Sequence, residues 1–152
     1  MEIRKGIISD IRLWMNLVDK VKNLFPGLET KEAVFEHEKT VLQFIAREEA
    51  LCAETDGKIV GILLFSKEQN MLCFLAVDED FRRQHIAYEL VNRMYAYLDL
   101  SKDITLETHV EGVPEGIAAR RFYKKLGFKE GMIKEEFGSQ VQEFILPKSP
   151  HA

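Results

Sequence analysis

The turn with the clearest potential for chemistry lies between a short apolar stretch and a long amphipathic one. Residues Met71–Val77 are continuously apolar, which predicts a strand buried on both faces. From Ile86 onward apolar residues recur at helical spacing, so a helix is expected next. The intervening turn reads Arg82-Arg83-Gln84-His85-Ile86-Ala87. Positive charge and unpaired backbone N–H groups at a helix start attract phosphate, so this turn predicts a phosphate-binding site.

A second group of chemically able residues follows one face of a later stretch, Ile104–Val110. Thr105, Glu107 and His109 share that face, and Glu111 continues the same row. A central strand packed between helices is ordinarily apolar on both faces. The polar face therefore predicts a cleft or contact with solvent, lined by side chains of the types that act as general bases.

Both regions carry a family resemblance. The first resembles the acetyl-CoA-binding signature of the GNAT family of N-acetyltransferases, an apolar strand followed by Gln/Arg-x-x-Gly-x-Gly/Ala, with His85 at the first glycine. Gly116–Phe128 resembles the family's other signature, Asn-x-x-Ala-x-x-Phe-Tyr-x-x-x-Gly-Phe, with Gly116 at the asparagine. The matching positions are Ala119, Phe122, Tyr123, Gly127 and Phe128. The resemblance covers roughly residues 55 to 146.

The resemblance implies an α/β (α+β) fold, with a mixed, mostly antiparallel sheet flanked by about four helices. It implies one N-acetyltransferase domain over residues 1–152. The activity implied is transfer of an acetyl group from acetyl-CoA to a primary amine, of a small molecule or a protein, by direct attack in a ternary complex. No acetyl-enzyme is expected, because neither Cys52 nor Cys73 has an activating partner visible in the sequence.

Two other functions stay open at this point. A non-catalytic acyl-CoA-binding module would bind CoA without acetylating any amine, and the departures at His85 and Gly116 favour it. A phosphate-binding or interaction domain unrelated to CoA would require both signatures to be coincidental.

Cofactor contacts follow from the resemblance. In the family, N–H groups of the turn bind the pyrophosphate and the edge of the preceding strand pairs with the pantetheine arm. The residues expected to bind acetyl-CoA here are Leu75, Ala76, Val77, Arg82, Arg83, Gln84, His85, Ile86, Ala87, Gly116, Ala119 and Phe122. A backbone N–H near Val77 is the expected partner of the thioester oxygen. The basic residues Arg120, Arg121, Lys124 and Lys125 form a solvated helix face or, alternatively, contact a CoA phosphate.

Proton transfer needs its own residues. A lysine-like amine with a pKa of ~10.4 is neutral only about once in 10³ molecules at pH 7, so the site must lower that pKa or supply a base. Glu107 is the preferred base, since it falls near a family position that often carries the carboxylate; His109, Glu111 and water are the alternatives. Tyr123 is expected to protonate the departing CoA thiolate, unless its ring only packs on the helix.

Length, charge and composition limit the classes of protein to which this chain can belong. A chain of 152 residues with a net charge of −4 fits one globular domain and argues against a nucleic-acid binder. Met1–Leu24 lacks a secretory pattern and no apolar run approaches about 18 residues, so a cytoplasmic protein without a membrane segment is expected. Cys52 and Cys73 are predicted to be buried and reduced, with no disulfide or metal. Family members often dimerise, so the resemblance allows a homodimer.

Periodicity and turn residues predict the remaining elements. They are a strand at Glu2–Ile8, a helix at Ile11–Leu24 capped by Ser9 or Asp10, a helix that begins after Thr30 and runs to about Glu49, a hairpin of Leu51–Thr55 and Lys58–Ser66 turning at Asp56-Gly57, a helix from Ile86 to Leu98, a helix at Gly116–Leu126, and a hairpin of Met132–Phe137 and Val141–Leu146. In the family the first two helices border the acceptor cleft. Trp14, Phe25, Phe35 and His37 are therefore candidate substrate contacts or, alternatively, core and helix-surface residues.

Overall fold

A single mixed sheet runs through the computed structural model, which describes residues 1–82, 84–136 and 138–149. Within these residues seven strands lie in the order β1-β2-β3-β4-β5-β7-β6. The strands are β1 (Glu2–Lys5), β2 (Ala50–Thr55), β3 (Lys58–Ser66), β4 (Met71–Val77), β5 (Ile104–His109), β6 (Lys129–Glu136) and β7 (Ser139–Leu146). Only β4 and β5 run parallel, which confirms the mixed, mostly antiparallel sheet.

Helices cover both faces of this sheet. The described residues form four α-helices: α1 (Ile11–Val21), α2 (Lys31–Ala46), α3 (Ile86–Tyr95) and α4 (Ile117–Lys125). Leu90 of α3 and Tyr123 of α4 are buried on one face, and Trp14 of α1 and Val41 of α2 on the other. Strand β3 supplies side chains alternately to the two layers, as the pleat requires. No helix in the described part of the chain is both long and apolar enough to span a bilayer.

Local sequence explains several of these elements. The β2–β3 turn has positive φ at Asp56 (50°) and Gly57 (73°), which is the hairpin geometry that this dipeptide favours. The Thr30 side chain accepts a hydrogen bond from the Ala33 N–H (3.0 Å) and so caps α2. Gly127 follows α4 with φ 101°, a conformation that a residue with a side chain rarely adopts.

Asp10 has a different role from the predicted helix cap. Its carboxylate accepts hydrogen bonds from the Ile7 N–H (2.8 Å) and from both terminal nitrogens of Arg4 (2.8 and 2.9 Å). The Arg4 hydrogen bonds lower the pKa of Asp10 against the opposing effect of burial. Asp10 therefore ties β1 to the start of α1.

Some element ends differ from the predicted ones. Strand β1 ends at Lys5 rather than Ile8, because Ile8–Asp10 form a 3₁₀ turn. Helix α1 ends at Val21 and continues as the 3₁₀ turn Lys22–Leu24. Four further elements end elsewhere, at Ala46 instead of Glu49, Tyr95 instead of Leu98, His109 instead of Val110 and Lys125 instead of Leu126. Four begin elsewhere, at Ala50 instead of Leu51, Ile117 instead of Gly116, Lys129 instead of Met132 and Ser139 instead of Val141. The predicted strand end at Phe137 lies outside the described residues.

Burial of β4 is the main correction to the predicted core. The strand is only partly covered, because a cavity opens beside it, so the prediction of burial on both faces was wrong. Cys73 is exposed rather than buried, although the surrounding protein raises the pKa of its thiol to about 11. Cys52 is fully buried, as predicted, and burial raises its thiol pKa to about 12. Both thiols are free.

Candidate active site

The two parallel strands at the centre of the sheet separate along their length. Strands β4 and β5 have one register pair, Met71 with Thr105, whereas β5 and β7 pair over six residues each. A cavity of about 1210 Å³ lies along this separation, which is larger than the 300–1,000 Å³ typical of small-ligand sites. We call it the interstrand cavity. It has room for a long ligand together with a second one.

A β-bulge begins the separation. Leu64 opposes Phe74 and Phe65 opposes Leu72, so Cys73 has no register partner on β3. An extra residue of this kind bends its strand and disrupts the ladder locally. The bulge therefore turns β4 away from β5 and places Cys73 on the cavity wall.

The bulge also decides which backbone groups of β4 face the cavity. The Asp78 N–H donates to the Val60 carbonyl (2.8 Å), which marks a hydrogen-bonded pair between β3 and β4. Such pairs alternate with non-bonded ones in antiparallel strands. Val77 and Leu75 occupy the alternate positions, so their N–H and C=O groups point away from β3 towards the separation. They form a free backbone edge.

The predicted phosphate-binding turn leads into α3. Helix α3 begins at Ile86, and its first N–H groups have no partner within the helix. Arg82, His85, Ile86 and Ala87 line the cavity. Gln84 is exposed and is not part of the cavity lining, while Arg83 lies outside the described residues.

His85 adopts the backbone conformation that the family's glycine would favour. Its φ of 59° and ψ of 24° are left-handed, and its side chain makes no capping hydrogen bond to the helix. A residue with a β-carbon pays roughly 1–2 kcal/mol for this conformation. The turn therefore keeps the glycine-type geometry despite the substitution.

Tyr123 lies at the junction of the cavity and the core. Its ring packs against Phe128 and Phe144, with ring centroids 5.9 and 6.3 Å away. The residue is 6% exposed and lines the cavity, and its hydroxyl has no hydrogen-bond partner among the described residues. Burial raises the pKa of Tyr123, so the hydroxyl keeps its proton at neutral pH. The hydroxyl is therefore present in its protonated form at the cavity.

Glu107 reaches the cavity from β5. Its Oε2 is buried and has no hydrogen-bond partner among the described residues, and the Lys134 ammonium lies 3.7 Å from it. Desolvation raises the pKa of Glu107, and the neighbouring carboxylate of Glu136 raises it further, against the effect of Lys134. A carboxylate shifted in this direction is a better proton acceptor near neutral pH.

Glu136 lines the same cavity and was missed by the sequence analysis. It lies in β6, which reaches β5 only through β7, where Glu107 pairs with Glu143. Nothing in the local sequence around Glu136 signals this position. It becomes visible only once the strand order is known.

The other two base candidates are less free. His109 Nε2 lies 2.7 Å from the Leu24 carbonyl oxygen, which only accepts hydrogen bonds, so Nε2 must carry the proton. This leaves only Nδ1 to act as a base. Glu111 is exposed and is not part of the cavity lining. The geometry therefore favours Glu107.

Aromatic residues form the end of the cavity next to α1 and α2. Phe25 stacks on Phe74 with a centroid distance of 4.3 Å, and His37 lies 4.8 Å from the same ring. Burial lowers the pKa of His37, and its Nε2 has no partner among the described residues. Of the other two candidate substrate contacts, Trp14 is fully buried in the core and Phe35 is exposed outside the cavity.

Some residues of the second signature, Gly116–Phe128, line the cavity and others do not. Ala119 and Phe122 line the cavity, as do Leu75, Ala76 and Val77 of β4, whereas Gly116 does not. Arg120 is neither a solvated residue nor a free phosphate ligand, because its side chain is only 7% exposed and pairs with Glu130 (2.8 Å). It also donates to the His109 carbonyl (2.8 Å).

Comparison with known proteins decides the family. Residues 46–130 match the sequence profile described as an acetyltransferase (GNAT) domain. The chain belongs to the GNAT acetyltransferase family. A search of curated protein sequences found no matching relative.

Solved N-acetyltransferase structures share this fold. An N-acetyltransferase from Staphylococcus aureus Mu50 has a TM-score of 0.74 at 16% identity, covering 95% of this chain and 100% of that one. The PaiA N-acetyltransferase from Thermoplasma acidophilum, in complex with coenzyme A, has a TM-score of 0.69 at 18% identity and covers 93% and 96%. A ribosomal-protein-alanine N-acetyltransferase from Brucella melitensis gives 0.72 at 16%, covering 97% and 99%. At these identities the similarity shows the fold.

Proposed function

We propose that this GNAT protein transfers an acetyl group from acetyl-CoA to a primary amine, carried by a small molecule or by a protein. The observation that carries the proposal is the free backbone edge of β4, which runs along a cavity that also contains Glu107 and Tyr123. The CoA complex of the Thermoplasma acidophilum neighbour supports the choice of cofactor.

The residues present fit a ligand shaped like CoA. The N–H groups at the start of α3 and the charge of Arg82 suit its phosphates. The backbone of Leu75 and Val77 offers donors and acceptors to an amide-containing arm, and Phe122 adds an apolar wall. When bound, acetyl-CoA supplies an acetyl group activated as a thioester.

Glu107 and Tyr123 would divide the proton transfers. Removing the proton from an alkylammonium group at pH 7 costs about 4 to 5 kcal/mol, so the site must lower the pKa of the amine or place a base beside it. Glu107 accepts that proton, and Tyr123 gives its own proton to the leaving sulfur. The Val77 N–H is the proposed donor to the carbonyl oxygen as negative charge develops on it.

A non-catalytic acyl-CoA-binding module is the second candidate. The side chain of His85 at a left-handed position and the absence of a side chain at Gly116 favour it, because both depart from the signatures of the catalytic family. Such a module would bind acetyl-CoA and transfer nothing.

Tyr123→Phe tests the enzyme and the acid together. Calorimetry should show equal acetyl-CoA binding in the wild type and the variant, because the ring and its contacts remain. With an amine that the wild type acetylates, release of free thiol should fall about 10²-fold to 10³-fold in kcat. Tyr97→Phe removes a hydroxyl outside the cavity, beside Phe65, and should leave kcat unchanged.

The outcomes separate the two candidates. Binding of acetyl-CoA without turnover over a broad panel of amines would support the non-catalytic module. Turnover that is equal in Tyr123→Phe and the wild type would remove Tyr123 as the acid. Absence of CoA binding would refute both candidates.

A further inference from the structure

His109 links the sheet to the segment that follows α1. The bond from its Nε2 to the Leu24 carbonyl (2.7 Å) joins residues that are 85 positions apart in the chain. Because the carbonyl has only lone pairs to offer, the imidazole is the donor. Leu24 and His109 both line the interstrand cavity.

Two further contacts fix the backbone and the Cβ of His109. Arg120, largely buried, donates to the His109 carbonyl (2.8 Å) and to Gln142 Oε1 (2.8 Å). On the other side, a β-carbon placed on Gly116 would overlap the Cβ of His109 and lie 2.9 Å from its Cγ. The end of β5 is therefore held against the start of α4, and the histidine side chain covers the glycine.

Gly116 is required here by space rather than by backbone conformation. Its φ of −100° is open to any residue, so only the approach of His109 excludes a side chain. The family's usual asparagine would not fit with His109 in this position. The absence of a side chain at Gly116 and the position of His109 therefore belong together.

The Leu24 carbonyl is adjacent to the aromatic end of the cavity. Leu24 ends the 3₁₀ turn, and the next residue, Phe25, stacks on Phe74 at 4.3 Å. We call Leu24, Phe25 and Phe74 the aromatic wall. Glu107 lies two residues before His109 on β5, so one strand carries both the carboxylate and the link to the wall.

We infer that His109 is a positioning residue that holds the aromatic wall at a fixed distance from Glu107 and thereby sets the binding of the acceptor amine. This role rests on the proposed function and adds to it that the aromatic wall is the side of the cavity that receives the acceptor amine. The imidazole acts through Leu24 and the wall, and takes no part in proton transfer.

A matched pair of amides tests the role. In His109→Gln the side-chain NH₂ reaches about as far as Nε2 and can donate to the Leu24 carbonyl, whereas in His109→Asn it is one methylene too short. His109→Asn should raise the KM for the amine about fivefold, the value of one net hydrogen bond, with an unchanged Kd for acetyl-CoA. His109→Gln should behave like the wild type in both measurements.

A second measurement needs no activity. Hydrogen exchange of residues 22–28, followed by mass spectrometry, should become faster in His109→Asn and stay slow in His109→Gln, while residues 117–125 keep their wild-type rates. Lys129→Ala, exposed and outside the cavity, serves as the control and should change nothing.

The possible results separate this inference from the proposed function. If the wild type acetylates no amine, the proposed function fails, and the exchange of residues 22–28 alone decides whether His109 holds the wall. Equal exchange and equal KM in His109→Asn and the wild type would overturn the inference. A weaker Kd for acetyl-CoA in His109→Asn would also overturn it, because His109 would then act on the cofactor.

Discussion

Two side chains in the cavity have pKa values shifted in the same direction by burial, yet they suit opposite tasks. The pKa of Tyr123 rises from an already high value, so the hydroxyl remains a proton donor over the whole physiological range. The pKa of Glu107 rises because burial penalises its charged form, so the carboxylate binds a proton more readily than an ordinary glutamate. Burial raises both pKa values, but tyrosine starts from a high pKa and glutamate from a low one, so Tyr123 is proposed as the acid and Glu107 as the base.

Replacement of Glu107 by glutamine should remove the proposed base while keeping a side chain of nearly the same size and shape. We expect kcat/KM at pH 7 to fall about 10²-fold. In the wild type, kcat/KM should rise with pH as Glu107 loses its proton, with an apparent pKa above the ordinary glutamate value. This acidic limb of the pH profile should be absent in Glu107→Gln, which steady-state kinetics over a pH series can measure.

Stability should respond in the opposite direction to activity. Because the folded protein binds the Glu107 proton more tightly than the unfolded chain, ionised Glu107 lowers the free energy of unfolding above the ordinary glutamate pKa. Glu107→Gln should therefore melt no lower than the wild type at pH 7. Glu143→Gln removes a carboxylate beside the same Lys134 but outside the cavity lining, and should keep full activity. An equal loss of activity in both variants would contradict the role of Glu107.

At the scale of elements, the start of α3 keeps a left-handed residue at His85. His85→Gly and His85→Ala both remove the imidazole, but only glycine adopts this φ without strain. Urea unfolding should find the alanine variant less stable than the glycine variant by about 1 kcal/mol. Acetyl-CoA should bind the glycine variant at least as tightly as the wild type in calorimetry. Weaker binding would mean that the His85 side chain itself contributes to the site.

The junction of β5 and α4 depends on the absence of a side chain at Gly116. In Gly116→Ala the new carbon would overlap the Cβ of His109, and both carbons are attached directly to backbone. We expect the free energy of unfolding to fall by about 2 kcal/mol, as for other overpacked sites. The double variant His109→Gly with Gly116→Ala removes the overlap, so chemical denaturation should recover part of the loss. Additive losses in the two single variants and the double variant would show that the contact is not responsible.

At the scale of the whole molecule, the N-terminal strand is joined to the helical layer by Arg4 and Asp10. The Arg4 hydrogen bonds hold the pKa of Asp10 below its ordinary value, so the ion pair stabilises the fold above that value. Its contribution is lost as pH falls through the lowered pKa.

Asp10→Asn should reveal this dependence on pH. At pH 7 we expect the free energy of unfolding to fall by about 2 kcal/mol, the scale of hydrogen bonds to charged groups. The difference from the wild type should begin to narrow below about pH 4, where Asp10 of the unfolded chain takes up a proton, and should vanish as the pH falls through the lowered pKa of the folded protein. Thermal melts at a series of pH values measure both effects. Asp19→Asn, in an exposed pair with Lys22, should stay close to the wild type at every pH.

Local features of the fold could be predicted because local chemistry produces them. The strand at Met71–Val77 has the predicted bounds, and the hairpin turns at Asp56-Gly57 as predicted, with both residues at positive φ. The signature around Tyr123 also indicated the family. Each of these depends on residues within a few positions of one another, where periodicity and turn preference act directly.

The tertiary structure alone decided which of these residues meet. Glu136 lines the same cavity as Glu107 because β7 lies between β5 and β6. The bulge at Cys73 opens one side of β4, a strand whose apolar sequence had predicted burial on both faces. His109 contacts the Leu24 carbonyl, which is 85 positions away in the chain. Strand order, register and long-range packing arise from the competition of many weak contacts over the whole chain. The sequence by itself therefore determined the elements, the family and the candidate residues. The tertiary structure determined the cavity and which side chains lie next to one another in it.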